Sequence, residues 1–273
     1  IEWEKQFAHM LVPQIPLQAV NQVAALLPEE NRALAFFLPE KEGMEYPTEQ
    51  QVLDALAAVD AEQIDAYTEE VNNDPLVPEL NSNVTIKKMQ DGVYGTKLIT
   101  LSNGIKVHVL HTDYSPNSIA MRAISWGGSS LYPNSEYNLV DNAHMVQVGG
   151  WGQFSAIDLQ KKLSGKQVSV EPSIADRTEA LHGSCVKKDL ETMLQLTYLC
   201  FTSPRRDDDA YKSLLERTRN SLKNEDMNPI TALRDSIASV VYNNNVRALR
   251  MRTEDVDGLD YDRVMEIYKE RFA

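Results

Sequence analysis

The sequence predicts an α+β fold in which an antiparallel sheet is flanked by helices. Strand-like and helix-like segments occur in separate runs rather than in strict alternation, which is typical of that class. A hairpin signal supports the antiparallel arrangement, because Asn103-Gly104 joins two alternating runs, TKLITL and IKVHVLH. An irregular stretch between residues 72 and 95 separates these strands from an earlier, mostly helical region, so two domains joined by a linker are expected.

The composition is that of a globular protein and argues against a membrane span and a nucleic-acid partner. The chain has 273 residues, of which 42% are hydrophobic and 25% charged, as expected for a globular protein with a real core. It has no run of about 20 apolar residues, so no membrane span is predicted. Residues 1–93 hold 5 Lys/Arg against 17 Asp/Glu, whereas residues 94–273 hold 22 against 23. Phosphate binding needs clustered cations, and neither region has an excess of them, so a nucleic-acid partner is not expected.

The first region reads as helix, strand, helix, helix. Pro16 opens the helical run LQAVNQVAALL, and RALAFFLP at residues 32–39 has the length and composition of a strand. Thr48 is the predicted N-cap of a helix that extends to Val59, and Asp60 is the predicted N-cap of the helix that follows. Residues 72–95 contain prolines and Asn/Asp without a sustained period, which predicts an extended linker.

The second region begins with the hairpin. A third strand, SIAMRAISW, ends at Gly127-Gly128, and a helix is predicted from Leu139 to Gly150. The remaining predicted elements are a helix at 155–163, strands at 167–174 and 178–186, and helices at 189–201, 208–225, 230–242 and 261–272, with Asp189 and Asp207 as N-caps. Cys185 and Cys200 are interpreted as two buried thiols, although spacing alone leaves a disulfide open.

The order of these segments resembles the pitrilysin/insulinase family of zinc peptidases, whose metal helix is of the inverted His-x-x-Glu-His type. Residues 94–273 resemble most of one family domain, and residues 1–70 resemble the closing half of the domain before it. The segments that carry the resemblance are LSNGIKVHVLHTD, ISWGGSSLY, VGGWGQFSAIDLQKKLSGKQVSVEPSI, KKDLETMLQLTYLCFTSPRRDDDAY and, in the first region, EENRALAFFLPEKEGMEYPTEQQVLDAL.

The resemblance implies an architecture of repeated insulinase-type domains that enclose a peptide substrate. It implies that residues 1–71 are the C-terminal half of one domain, residues 72–95 the linker, and residues 96–273 the N-terminal part of a following, non-catalytic domain. The other domains of the same chain are then partners of this segment. Zinc is expected in a missing N-terminal domain rather than here, and a periplasmic or cell-envelope location follows from resemblance alone.

The resemblance also identifies a degenerate metal motif. In the family, two His at i and i+4 bind zinc and the Glu before the second His acts on a zinc-bound water. The flank HMVQVG aligns His144 with the second His, which puts Val140 at the first His and Ala143 at the Glu. The third ligand, expected on a helix that begins near Glu216-Arg217, falls near Lys223, with Glu225 two residues away.

The same helix offers a possible alternative metal site. Asp141 and His144 are three residues apart and share a helical face, so they could supply two ligands. A catalytic zinc needs three protein ligands and a water, and the sequence offers no third. The prediction is therefore that no metal binds in this segment and that His144 is a structural histidine.

Other candidate residues receive structural interpretations. His108 and His111 point to opposite faces of a strand, and His9 and His182 lack partners at ligand spacing. The Gly127-Gly128 and Gly149-Gly150 pairs end elements rather than bind phosphate. A basic cluster is expected to form surface salt bridges, with a peptide carboxylate or a neighbouring domain as the other reading; its members are Arg247, Arg250 and Arg252.

Two functions remain open from sequence. The first is a segment of a zinc metalloendopeptidase that walls the substrate chamber without catalysing the reaction itself. The second is a non-catalytic peptide-binding or structural subunit of the same family, which could hold peptides by strand addition. An intact His-x-x-Glu-His upstream of Ile1 would favour the first. In either case an unpaired sheet edge predicts that the isolated chain self-associates.

Overall fold

The computed structural model describes residues 2–23, 33–38, 43–63, 72, 74–80 and 82–272. The chain divides into two compact units, residues 1–68 and residues 69–273. The second unit holds both β-sheets and the buried core, and it determines where the candidate site lies.

The regular elements described in the first unit are helices. Its helices are α1 (Glu2–Leu11), α2 (Leu17–Val23) and α3 (Glu49–Ala61). Thr48 caps α3 as predicted, since its hydroxyl accepts from the backbone N–H of Gln51 while the Gln51 side chain accepts from the Thr48 N–H. Asp60 lies inside α3 rather than at a cap, so that prediction is wrong. The helix predicted after it lies mainly outside the described residues.

The strand predicted at residues 32–39 is not formed. Its described part, residues 33–38, has no regular structure, and Phe36 and Phe37 are 57% and 95% exposed. A strand is held by hydrogen bonds to a neighbouring strand, and none of the strands in the described part of the chain pairs with these residues. Apolar composition alone therefore misidentified this segment.

The first sheet of the second unit is antiparallel, in the order β1 (Ile86–Asp91), β2 (Lys97–Leu101), β3 (Lys106–Val109). The hairpin between β2 and β3 confirms the Asn103-Gly104 signal, and Gly104 has a φ of 91° at the turn. Strand β1 lies within the range predicted as linker. Leu76 and Val77, from the same range, are 7% and 8% exposed in the core of this unit.

The second sheet is also antiparallel, in the order β4 (Ser118–Trp126), β6 (Thr178–Val186), β5 (Val168–Ile174). All three strands match their predicted positions. Leu181 and Gly183 of β6 face inward, and Gly183 leaves room for Met193 of the neighbouring helix, which would lie 3.0 Å from an added Cβ. Helices beside two antiparallel sheets confirm the α+β class.

Helices cover one side of the second sheet and supply most of the core. The rings of Tyr268 and Phe272 stack with their centroids 4.7 Å apart, and the ring centroid of Trp151 lies 5.8 Å from that of Tyr268. The α-helices of this unit are α4 (Tyr137–Asp141), α5 (Ala156–Lys162), α6 (Leu190–Thr202), α7 (Asp208–Asp226), α8 (Pro229–Val241) and α9 (Tyr261–Phe272).

The two predicted aspartate caps behave differently. Asp207 caps α7, because its carboxylate accepts from the backbone N–H of Ala210 at 3.0 Å. Asp189 occupies the N-cap position of α6 but does not bond to that helix. Its carboxylate accepts instead from the backbone N–H of Gln167 at 2.9 Å, and so ties α6 to the start of β5.

Cys185 and Cys200 are both free and buried, which confirms the interpretation as two thiols.

Candidate functional site

The predicted helix at Leu139–Gly150 is interrupted. Helix α4 ends at Asp141, and a 3-10 segment follows from Ala143 to Gly149; residues 137–149 are called the motif segment below. Between them, the Asn142 side chain donates to the carbonyl oxygen of Asn138 at 2.8 Å. The prediction of one continuous helix is therefore wrong at Asn142. A 3-10 segment aligns residues i and i+3, so the break removes the i, i+4 stacking on which a His pair depends.

The two positions that align with the first ligand and the base are part of the core. Val140 and Ala143 are both 0% exposed. They pack in one apolar cluster with Tyr132 and with Ile267 of α9, which is also 0% exposed. The side chains of Val140, Ala143 and Ile267 carry no nitrogen, oxygen or sulfur atom that could bind a metal ion.

His144 is the remaining member of the motif, and it is half-buried. Its Nδ1 lies 3.0 Å from the backbone carbonyl oxygen of Asp141. The pKa of the Asp141 carboxyl is raised, first by partial burial; the nearby His144 opposes this, and the Asp176 carboxylate adds to it. Within the part of the chain that the structure describes, no three His, Cys, Asp or Glu side chains are placed to hold one metal ion.

Helix α7, which packs against the motif segment, carries the residues considered for a third ligand. Glu216 forms an ion pair of 2.7 Å with Arg219, and Glu225 lies 3.6 Å from Arg250. Lys223 is exposed, whereas the preceding Leu222 is the buried residue of that turn. The side chains that α7 directs into the core are therefore apolar or aromatic, not carboxylates.

Gly149 and Gly150 let the end of the motif segment approach another loop closely. A Cβ on Gly149 would lie 2.2 Å from the carbonyl oxygen of Arg205, and Gly150 has a φ of 87°. Arg205 also donates to the carbonyl oxygen of Gly149 at 2.9 Å. These glycines thus fix the motif segment against the loop between α6 and α7.

The basic cluster divides into two parts. Arg250 forms ion pairs with Asp226 at 2.5 Å and with Asp235 at 3.0 Å, and Arg252 pairs with Asp235 at 2.7 Å, as predicted. For Arg247 the salt-bridge prediction is wrong. It donates to the carbonyl oxygen of Tyr132 at 2.7 Å and to Ser129, and it lies over the Tyr137 ring. Arg247 thereby ties the residues before α4 to the loop after α8.

Sequence analysis missed one buried carboxylate. Glu179 of β6 is 4% exposed and accepts from the backbone N–H of Gly128 at 2.7 Å. Its position beside Gly127-Gly128 could not be predicted from the sequence, because the two segments are distant in the chain.

A cavity of about 90 Å³ lies between β4 and α9, lined by Glu179, Arg271 and mostly apolar neighbours. A second, open groove of about 390 Å³ lies between residues 77–80 and α6.

No family model matches the sequence. A curated relative, the probable zinc protease PqqL of Haemophilus influenzae, is 30% identical over 128 residues, which cover 46% of this chain and 14% of that protein. The zinc protease PQQL-like protein of Arabidopsis thaliana is 22% identical over 277 aligned positions, which cover 100% of this chain and 26% of that protein. The chain thus spans about a quarter or less of these relatives.

A solved structure provides the decisive comparison. The periplasmic protease PqqL from Escherichia coli superposes with a TM-score of 0.63 at 17% identity, over 99% of this chain and 30% of that one. The chain has a pitrilysin/insulinase-like zinc protease fold. The resemblance inferred from the ordered segments is therefore confirmed at the level of fold. In the residues described by the structure, no helix is long and apolar enough to cross a membrane.

Proposed function

We propose that this chain is a segment of a zinc-dependent metallopeptidase and that it contributes the inter-half linker and a non-catalytic domain to the substrate chamber. The segment has no zinc site of its own, and zinc is bound by another domain of the same protein. One observation carries the proposal: Val140 and Ala143, at the positions of a ligand and the base, are 0% exposed and packed against Ile267.

The chemistry supports this assignment. Bound zinc in such enzymes would activate a water for attack on a peptide carbonyl, which requires three protein ligands and a base. Here the motif segment offers one imidazole, His144, whose Nδ1 faces a backbone carbonyl. The residues of this chain serve instead to hold the motif segment between α7 and α9 as part of a wall.

The proposed boundaries are residues 1–71 for the end of one domain, 72–95 for the linker and 96–273 for the start of the next. The division of the chain near residue 68 supports the first of these boundaries. The packing of Leu76 and Val77 in the second unit means that the proposed linker is anchored there at its start. A periplasmic or cell-envelope location is part of the same proposal, and the name of the Escherichia coli structure supports it.

The test is a peptidase assay of the 273-residue chain equilibrated with zinc, on a mixed peptide library read by mass spectrometry. We expect no cleavage. Chelator-sensitive cleavage that is lost in His144→Ala and kept in His182→Ala would overturn the proposal. His182 is a suitable control because it is an exposed histidine on β6, away from the motif segment.

A second candidate function is a non-catalytic subunit that binds peptides by strand addition. Strand β4 pairs with β6 along one edge, and in the described residues its other edge has no strand partner. Ile124 and Trp126 near that edge are 56% and 83% exposed. Main-chain pairing of this kind tolerates many peptide sequences.

A labelled peptide should then bind the chain, and the same peptide with N-methylated backbone amides should not. Equal binding of both peptides would refute strand addition.

A further inference from the structure

A carboxylate and a guanidinium converge beside Gly127, just after the end of strand β4. Glu179 of β6 is 4% exposed, and Arg271 is the second-last residue of α9. A Cβ on Gly127 would lie 3.0 Å from Oε2 of Glu179 and 2.7 Å from Nη1 of Arg271. The two charged side chains therefore occupy the space that a side chain at position 127 would take.

The two groups are close, but they do not satisfy each other. In the described part of the chain, no ion pair within 4.0 Å joins Arg271 to Glu179. The Nε of Arg271 is buried and has no hydrogen-bond partner among these residues, and its guanidinium lies over the Tyr132 ring. Glu179 accepts one hydrogen bond, at Oε2, from the backbone N–H of Gly128. Since buried charged groups normally use their full hydrogen-bonding capacity, this pair has capacity for a further polar partner.

The cavity of about 90 Å³ between β4 and α9 is lined by both charged groups. The rest of its lining includes the buried Leu181 and Phe272 and the exposed Ile124, so the cavity reaches from the core to the surface. Its volume is roughly that of three water molecules, at about 30 Å³ each in the liquid. A polar group of about three heavy atoms therefore fits beside Glu179 and Arg271.

The two charges determine which kind of group is favoured. A carboxylate would face the like charge of Glu179, and an ammonium group would face that of Arg271. A purely apolar group would leave both charged side chains without a further partner. A hydroxyl has a single heavy atom and would leave most of the volume unfilled.

A primary carboxamide meets all of these conditions. It has an acceptor oxygen and a donor nitrogen on one carbon, so it can accept from Arg271 and donate to Glu179 at the same time. We propose that this cavity binds the side-chain carboxamide of a glutamine in a peptide, with the methylene groups of that side chain against the apolar lining. The inference rests on the proposed function, because it names a side chain of the peptide substrate that this wall of the chamber would hold.

The test is a titration of the 273-residue chain, labelled with nitrogen-15, with N-acetylglutamine methylamide, followed by NMR. We expect saturable shifts of the Gly127 and Gly128 amide signals. The glutamine ligand should bind at least about tenfold more tightly than N-acetylglutamate methylamide, because the second ligand replaces a hydrogen bond to a charged group by a like-charge contact.

Variants identify the groups that make the selection. Glu179→Gln should remove the preference for the glutamine ligand, since it keeps an acceptor for Gly128 and no longer repels a carboxylate. Arg271→Gln should weaken the binding of both ligands. The matched controls, Glu171→Gln on β5 and Lys269→Gln on α9, change the same charges at exposed positions outside the cavity and should leave binding unchanged. Circular dichroism shows whether each variant folds.

Three results with the wild-type chain would overturn the proposal. Equal binding of the two ligands would refute the selection for a carboxamide, and tighter binding of the glutamate ligand would make the cavity an anion site. No shift at about 10 mM glutamine ligand, where a ligand with Kd of ~1 mM would fill most sites, would leave the cavity to water alone. Because this titration involves no cleavage, its failure is distinguishable from a failure of the proposed function, which the peptidase assay detects.

Discussion

Ala143 is the residue of the motif segment whose packing bears most directly on the proposed absence of a zinc site. A methyl group stands at the position that aligns with the general base, and it is completely buried beside Val140 and Ile267. Its neighbours could not be identified from sequence, because Ile267 is 124 positions away and the contact depends on how α9 packs. The residue types at 140 and 143 predicted a degenerate motif, and the packing adds that both positions are buried in an apolar cluster.

Restoring the glutamate should therefore damage the fold. Ala143→Glu places a carboxylate in an apolar cluster without a partner, so the free energy of unfolding should fall by about 3 kcal/mol or more. Urea unfolding followed by circular dichroism measures the change. Gln147→Glu, at an exposed position of the same segment, should be nearly neutral. A stable Ala143→Glu variant would show that the cluster has room for a polar group.

The two cysteines should be unreactive in the native protein. Burial raises the pKa of the Cys200 thiol to about 12, and burial and the nearby Asp189 raise that of Cys185. Because the thiolate is the reactive form, iodoacetamide at neutral pH should leave both unmodified in the folded chain and modify both in urea. Mass spectrometry counts the adducts. Rapid labelling of Cys200 in the native chain would contradict its burial.

Among the helices and strands, the features that depend on neighbouring residues, such as caps and hairpin turns, were predicted correctly. The features that depend on distant residues, such as strand pairing, were not. Asn103-Gly104, Thr48 and Asp207 act on backbone groups within a few residues, so their roles were readable from sequence. Strand β1 exists because it pairs with β2, and residues 33–38 fail to form a strand because no described strand pairs with them. The break at Asn142 occurs where its side chain and its backbone N–H both donate to the Asn138 carbonyl oxygen, a local arrangement that apolar periodicity does not reveal.

The cap of α7 makes a prediction about pH. The side chain of Arg205, followed by the backbone N–H of Ala210, lowers the pKa of Asp207 from 3.8. Since the folded-state pKa lies below the unfolded one, this carboxylate stabilises the fold above pH 3.8, and the contribution is lost as the pH falls through the lowered value.

Asp207→Asn isolates that charge, because asparagine is also a good N-cap residue. The free energy of unfolding of the variant should decline less steeply between about pH 5 and pH 2 than that of the wild-type chain. Urea titrations at a series of pH values give both profiles. Parallel profiles would mean that Asp207 does not titrate differently in the folded state.

For the whole molecule, the ordered series of segments was more informative than any single motif. The α+β class and the family resemblance followed from the order hairpin, strand, Gly-Gly, helix, strand pair and long helices, and the fold comparison confirms them. The division of the strands into two sheets was not predicted. It depends on which strands meet in space, which alternation along the chain does not specify.

The central claim is that this segment binds no zinc. The most direct test is the zinc content of the purified 273-residue chain after equilibration with zinc and removal of the excess, measured by atomic emission. The account predicts no stoichiometric zinc, with or without the His144→Ala substitution. One zinc per chain that is lost in His144→Ala would contradict it, and would mean that Asp141, His144 and a further ligand form a metal site.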